Sequence, residues 1–208
     1  MNELKEKIRA LRIVPVVKID DAKNAVSLAA ALVRGGLACA EVTFRTEAAG
    51  EAIRKMTEAY PDMLVGAGTV LTTDQVDEAI AAGAKFIVSP GLNPKTVLYC
   101  QEKKIPIFPG VATASEIEKA LELGLDVVKF FPAEVNGGLP AIKAFSGPFH
   151  MLSFMPTGGI NAQNVKEYLA FDKVLACGGT WMVKDSLIKN GEFDKIEELT
   201  REAVESIK

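Results

Sequence analysis

Histidine is nearly missing from this 208-residue chain, which has only His150. One imidazole cannot build a His-rich zinc site, and that argues against metal-dependent chemistry of this kind. It also gives a Ser/His/Asp or Cys/His triad little support. Cysteine is scarce as well: Cys39, Cys100 and Cys177 are scattered, odd in number and without a CxxC pair. Dispersed thiols suit a reducing cytosol better than a disulfide framework, so a cytoplasmic protein is expected. Charge of one sign is lacking too, since 24 Lys and Arg against 27 Asp and Glu give a net −3. No nucleic-acid footprint and no membrane-binding polybasic patch is therefore expected. No apolar run approaches the roughly 20 residues of a bilayer span. Met1–Leu11 (MNELKEKIRAL) alternates charges and has no apolar stretch, so no secretory signal is expected.

With 49% hydrophobic residues, the chain has enough apolar content for a continuous core. No Pro/Ser-rich linker and no low-complexity segment interrupts it, and one domain over 1–208 is expected. A repeating unit is visible instead: an amphipathic stretch ends at Gly, and a short apolar run follows. Val33–Thr43, Ala79–Ser89 and Ala120–Phe131 are the clearest copies. Glycine suits a helix C-terminus because it adopts the left-handed conformation at low cost. Thr72-Thr73-Asp74-Gln75 and Thr113-Ala114-Ser115-Glu116 fit the reciprocal capping pattern that starts a helix.

Eight apolar runs recur: Ile13–Val17, Ala38–Thr43, Met63–Ala67, Phe86–Ser89, Ile105–Phe108, Val127–Phe131, Leu152–Met155 and Val174–Cys177. Short, β-branched runs without strict alternation read as parallel strands buried on both faces. Eight such units predict an α/β protein, a (β/α)8 TIM barrel with an extra N-terminal helix over Asn2–Leu11. A doubly wound open sheet is the runner-up, usually with fewer strands. The charged tail Asp194–Lys208 reads as a final amphipathic helix.

Barrel chemistry collects at the carboxyl ends of the strands. Two charged residues stand inside otherwise apolar runs there, Glu41 and Lys129. Side chains alternate along a strand. If Val128 and Phe130 meet the helices, Lys129 points into the barrel with Val127 and Phe131, and Glu41 points inward with Cys39 and Thr43. Desolvation in such a place disfavours the ammonium form. It leaves a free amine able to attack a ketone and form an imine. A buried Lys129–Glu41 ion pair of purely structural value is the alternative.

Gly158-Gly159 and Gly178-Gly179 follow the seventh and eighth runs, where many barrels bind phosphate through backbone N–H groups. Two plain tight turns would give the same pattern. Arg45 lies two residues past the second run, within reach of an anionic group or simply on the surface. Thr69 is open between a ligand contact and a helix cap, and Lys18 between a second cation at the site and a solvated strand end. His150 reads as a surface residue, Phe149 and Trp181 as packing residues, and Cys177 as core.

The segments Glu41–Thr46 (EVTFRT), Gly66–Val70 (GAGTV), Lys129–Glu134 (KFFPAE), Pro156–Ile160 (PTGGI) and Gly178–Trp181 (GGTW) resemble, in order, those of the 2-keto-3-deoxy-6-phosphogluconate aldolase family. Many of its members also act on 4-hydroxy-2-oxoglutarate. KFFPAE together with EVTFRT is the specific part. The resemblance implies a class I aldolase acting on a phosphorylated keto sugar acid to release pyruvate, with no cofactor and no metal, assembled as a homotrimer. It assigns Lys129 the imine and Glu41 the proton shuttle. Arg45 and Thr69 match positions that hold a carboxylate, and Phe131 one that packs beside the imine. Thr157 matches a position facing hydroxyls. Gly158, Gly159 and Thr180 match the phosphate positions, where Thr180 replaces a common Ser and Lys18 stands where several relatives carry Arg. An aldolase for the galactonate epimer and a phosphate-binding barrel isomerase or synthase are the alternatives, beside a non-catalytic phosphosugar-binding protein.

Overall fold

The computed structural model describes residues 2–208, so residue 1 of the expected domain span lies outside the described residues. Eight parallel strands, β1 (Ile13–Val17), β2 (Cys39–Thr43), β3 (Leu64–Gly68), β4 (Ile87–Ser89), β5 (Ile107–Val111), β6 (Val127–Phe130), β7 (Ser153–Pro156) and β8 (Cys177–Gly179), form one sheet. Its order is β7-β6-β5-β4-β3-β2-β1-β8. Bridges Phe154–Val174 and Thr157–Gly178 join β7 to the β8 segment and bring the two ends together. The result is the expected (β/α)8 barrel rather than a doubly wound sheet.

Helix α1 (Asn2–Leu11) precedes β1. The crossovers are carried by α2 (Ala25–Arg34), α3 (Ala49–Ala59), α4 (Thr73–Ala81), α5 (Pro94–Glu102), α6 (Ala114–Glu122), α7 (Gly138–Ser146) and α8 (Val165–Leu169). Two helices follow β8, a short α9 (Asp185–Asn190) that the periodicity does not reveal, and α10 (Phe193–Ser206) in the charged tail. Thr72 and Thr113 form the expected capping boxes, each accepting from the backbone N–H three residues on. Gly36, Gly83 and Gly124 follow α2, α4 and α6 with φ of 94°, 92° and 73°, the left-handed conformation that ends each helix.

The buried residues divide into two apolar clusters, as strand parity requires. Ala40, Val42, Val128 and Phe130 pack outward against the helices. Val14, Cys39, Phe86, Phe108, Val127 and Met155 fill the barrel interior with Ile8 of α1, and Leu4 and Leu11 pack on them from the same helix. The N-terminal helix thus closes the floor of the barrel with its apolar face.

Several strand limits differ from the apolar runs. The fifth strand starts at Ile107 rather than Ile105, because the Ile105 N–H donates to Cys100 O at 3.0 Å and completes the turn after α5. The eighth shifts to Cys177–Gly179, because Val174 belongs to a turn in which its N–H donates to Phe171 O at 2.9 Å. Gly178 and Gly179, read in the sequence as a loop, are therefore strand residues paired with Val14 and Pro15 of β1.

Candidate active site

Strands β2 and β6 face each other across the barrel, with β3 to β5 between them on one side and β7, β8 and β1 on the other. Each contributes one inward charged residue. The Lys129 Nζ donates to Glu41 Oε1 at 3.3 Å, with Lys129 only 6% and Glu41 3% exposed. A lysine reaches that far because its four-carbon stem spans the interior, and the room comes from β3. A Cβ on Gly68 would lie 2.3 Å from Glu41 Oε1, so any larger residue would displace the carboxylate. The Lys129 Nζ also sits 5.0 Å from the centre of the Phe131 ring, an apolar wall beside the amine.

The three thiols do not compete as nucleophiles. Burial, and after it the Glu41 carboxylate, pushes the Cys39 thiol far up. Burial likewise pushes Cys100 and Cys177 to about 12. All three are free and buried, which puts Cys177 in the core as the sequence suggests.

A cavity of about 150 Å³ opens above the pair at the carboxyl ends of the strands. Of the residues singled out in the sequence, Glu41, Arg45, Thr69, Lys129, Phe131, Thr157, Gly158 and Thr180 all line it. They come from five strands separated by up to 139 residues of sequence (Glu41 to Thr180), and only the barrel brings them together. Gly159 is the exception: it stands next to the cavity wall, against the side chain of Glu134. Thr69 holds φ at 53°, a left-handed conformation rarely adopted by a β-branched residue. Such local strain concentrates at functional sites, where the surrounding fold enforces it.

An adjoining space of about 290 Å³ shares Val16, Thr43, Arg45 and Thr180 with the first and adds Lys18 and Asp185. Lys18 lines this adjoining space and not the inner cavity, and its Nζ binds Asp20 at 2.7 Å and Asp185 at 3.4 Å. The hydrogen bond to Asp20 holds the Lys18 ammonium above its usual range. Pro90 and Ile160 also line the inner cavity. Neither carries a charge or a donor side chain, so no chemical signal in the sequence marks them. A larger cavity of about 540 Å³ lies at the opposite end, between Lys5 of α1 and the starts of β5 and β6. It contains neither member of the Lys129–Glu41 pair. His150 is exposed, as expected, while Phe149 and Trp181 are partly buried against the outer core.

The loop after β7 has the features of an anion cradle. Gly158 and Gly159 take φ of 96° and 85°, which glycine adopts at little cost. Gly158 O accepts from Glu134 N at 3.1 Å, and Gly159 O accepts from the side-chain amides of Asn161 and Asn164 at 3.1 and 3.0 Å. The Gly159 N–H donates to no protein acceptor among the described residues, while the Thr157–Gly178 bridge engages the backbone beside Gly158. Among those residues, no three His, Cys, Asp or Glu side chains gather closely enough to hold a metal ion.

A (β/α)8 barrel with one lysine buried beside a carboxylate at the carboxyl end of its strands has the architecture of enzymes that work through an imine. The family model described as "Aldolase: KDPG and KHG aldolase" matches residues 4–199. The chain belongs to the KDPG and KHG aldolase family, and is an aldolase, a carbon–carbon lyase. It is 50% identical over 207 residues to the 2-dehydro-3-deoxy-phosphogluconate aldolase of Haemophilus influenzae, covering 100% of this chain and 98% of the relative. Among solved structures it resembles the KDPG aldolase of Legionella pneumophila, with pyruvate captured as a covalent carbinolamine (TM-score 0.91, 41% identity, 95% and 96% of the two chains). It is also similar to the 2-keto-3-deoxy-6-phosphogluconate aldolase of Zymomonas mobilis ZM4 with 3-phosphoglycerate (TM-score 0.89, 42% identity, 96% and 94%).

Proposed function

We propose that this chain, acting as a single barrel unit, is a class I aldolase that cleaves 2-keto-3-deoxy-6-phosphogluconate to pyruvate and glyceraldehyde 3-phosphate. On the same lysine it cleaves 4-hydroxy-2-oxoglutarate to pyruvate and glyoxylate. The observation that carries this is the buried Lys129 amine 3.3 Å from Glu41 Oε1, in a cavity at the carboxyl ends of the strands. The carbinolamine of pyruvate in the Legionella relative and the 3-phosphoglycerate in the Zymomonas relative support the two ends of the substrate.

The Lys129 amine attacks the C2 ketone, and loss of water from the carbinolamine leaves a protonated imine. Glu41 takes the proton of the C4 hydroxyl as the C3–C4 bond breaks, and the bonding pair flows into the imine to give an enamine. The aldehyde leaves, the enamine is protonated at C3, and water releases pyruvate and the free amine. Arg45 and Thr69 hold the substrate carboxylate, Phe131 packs beside the imine, and Thr157 faces the hydroxyls. Gly158, Gly159 and Thr180 bind the phosphate, so remote binding energy aligns the reacting carbon. No cofactor and no metal enters these steps.

Borohydride added with pyruvate is expected to fix one adduct on Lys129, located by peptide mapping. The assignment fails if the intact protein gains no mass, or if Lys129→Ala gains it equally. We further infer a homotrimer, for which Leu71, Leu98 and Val135 offer exposed apolar surface. We place the reaction in the cytoplasm, consistent with three unpaired cysteines. No described helix is long and apolar enough to cross a membrane.

A further inference from the structure

The KFFPAE segment links the nucleophile to a residue the mechanism above does not use. Glu134 lies five positions beyond Lys129 and follows the end of β6. Its backbone N–H donates to Gly158 O at 3.1 Å, and the preceding Ala133 N–H donates to Thr157 O at 2.8 Å. The β6 exit and the β7 loop are thus laced together. The Glu134 side chain lies over that loop. A Cβ on Gly159 would lie 2.4 Å from Glu134 Cγ and 2.6 Å from its Cβ, so the methylenes fill the space that only glycine leaves. The carboxylate is held in turn by Tyr168 of α8, whose hydroxyl donates to Glu134 Oε1. Tyr168 is 2% exposed, so this hydroxyl has few other partners to choose from. Burial first, and the hydrogen bond to Glu134 second, push the Tyr168 phenol upward.

Three groups therefore press on the loop from its carbonyl side: Glu134, and the amides of Asn161 and Asn164 on Gly159 O. The opposite side presents the N–H group of Gly159 without a protein acceptor among the described residues. A flexible diglycine loop left to itself would lose this arrangement to chain entropy, since glycine has the most conformational freedom to give up.

We propose that Glu134, held by Tyr168, is a positioning residue that fixes the Gly158-Gly159 loop for the distal phosphate. It thereby sets the span between that anion and the amine of Lys129 on the preceding strand. This rests on the reading of the loop as the phosphate site, and deepens it. The residue touches neither substrate nor the reacting atoms. Its effect falls on ligands carrying the distal phosphate and leaves the imine chemistry standing.

The test compares Glu134→Ala, Glu134→Gln and Tyr168→Phe with the parent enzyme on the phosphorylated substrate and on unphosphorylated 4-hydroxy-2-oxoglutarate. Glu134→Ala is expected to raise KM for the phosphorylated substrate about tenfold, through a loss of loop preorganisation, with kcat changed much less. Its ratio of kcat/KM between the two substrates should fall by about the same factor. Glu134→Gln, which keeps the methylenes and an acceptor for Tyr168, should restore most of that ratio. Tyr168→Phe should lower it in the same direction, and serves if the alanine variant does not fold. Equal losses on both substrates, or no loss on either, overturn the proposal. If Lys129 traps pyruvate but neither substrate turns over, it is the substrate reading that has failed. Glu134 is then judged by calorimetric binding of inorganic phosphate: weaker binding by Glu134→Ala supports the role, and equal binding overturns it.

Discussion

At the scale of single residues, the consequential choice is a lysine and a glutamate inside an apolar barrel. Neither is a good stabiliser there, because two desolvated charges recover their hydration only through close mutual contact. The 3.3 Å contact between them satisfies this in the free protein, and the ketone enters the same space. Glu41→Gln is expected to lower kcat roughly 10²–10⁴-fold, the usual cost of losing a positioned acid–base group, while pyruvate is still trapped on Lys129 by borohydride. Steady-state kinetics together with intact-mass analysis checks both halves. Loss of trapping along with turnover would make Glu41 a structural partner of the amine instead. Gly68 guards the same geometry. Gly68→Ala places a methyl 2.3 Å from Glu41 Oε1, and is expected to destabilise the fold by about 1–3 kcal/mol through overpacking. Turnover should fall further than the melting temperature alone accounts for. Full activity in that variant would show that the carboxylate need not stay where it is.

At the scale of elements, the strand ends set the chemistry and the helix starts hold them in place. Glu116 Oε2 accepts from Ala112 N at 2.8 Å and Thr113 N at 2.9 Å, and the Thr113 hydroxyl accepts from Glu116 N at 3.3 Å. This box begins α6 directly after β5, on the active-site face. Thr113→Ala is expected to cost about 1 kcal/mol of stability, a fall of roughly 2–4 °C in melting temperature for a domain of this size. Thermal scans read this directly, and a change below half a degree would deny the cap its role. Such caps were legible in the sequence because they depend on residues three apart. Strand limits were less legible. The Ile105 and Val174 runs are apolar at their starts, yet Ile105 completes a turn, and Val174 ends one and makes only an isolated bridge to Phe154 outside the named strand. Hydrophobicity marks what is buried and does not separate a turn residue under a helix from a ladder residue. Short helix α9 was missed because six residues make fewer than two turns, too few to display a period.

At the scale of the molecule, the inferred assembly predicts a solution mass near three times the 22.3 kDa of one chain. Light scattering coupled to size exclusion measures it, and a monomer mass would remove the trimer. If Leu71, Leu98 and Val135 lie in that interface, charged substitutions such as Leu98→Glu should shift the mass toward one chain. Sequence alone determined the fold class, the repeat and the inward parity of Lys129 and Glu41. Each of these follows from local rules: the period of side chains along a strand, the glycine that ends a helix, the threonine that starts one. Only the tertiary structure decided which residues share the cavity. Barrel closure brings Glu41 opposite Lys129 and Thr157 beside Gly178, and it turns Lys18, Pro90 and Ile160 into wall residues. It also lays Glu134 over Gly159. These contacts depend on the curvature and register of eight strands at once, a long-range property that no stretch of the chain carries by itself.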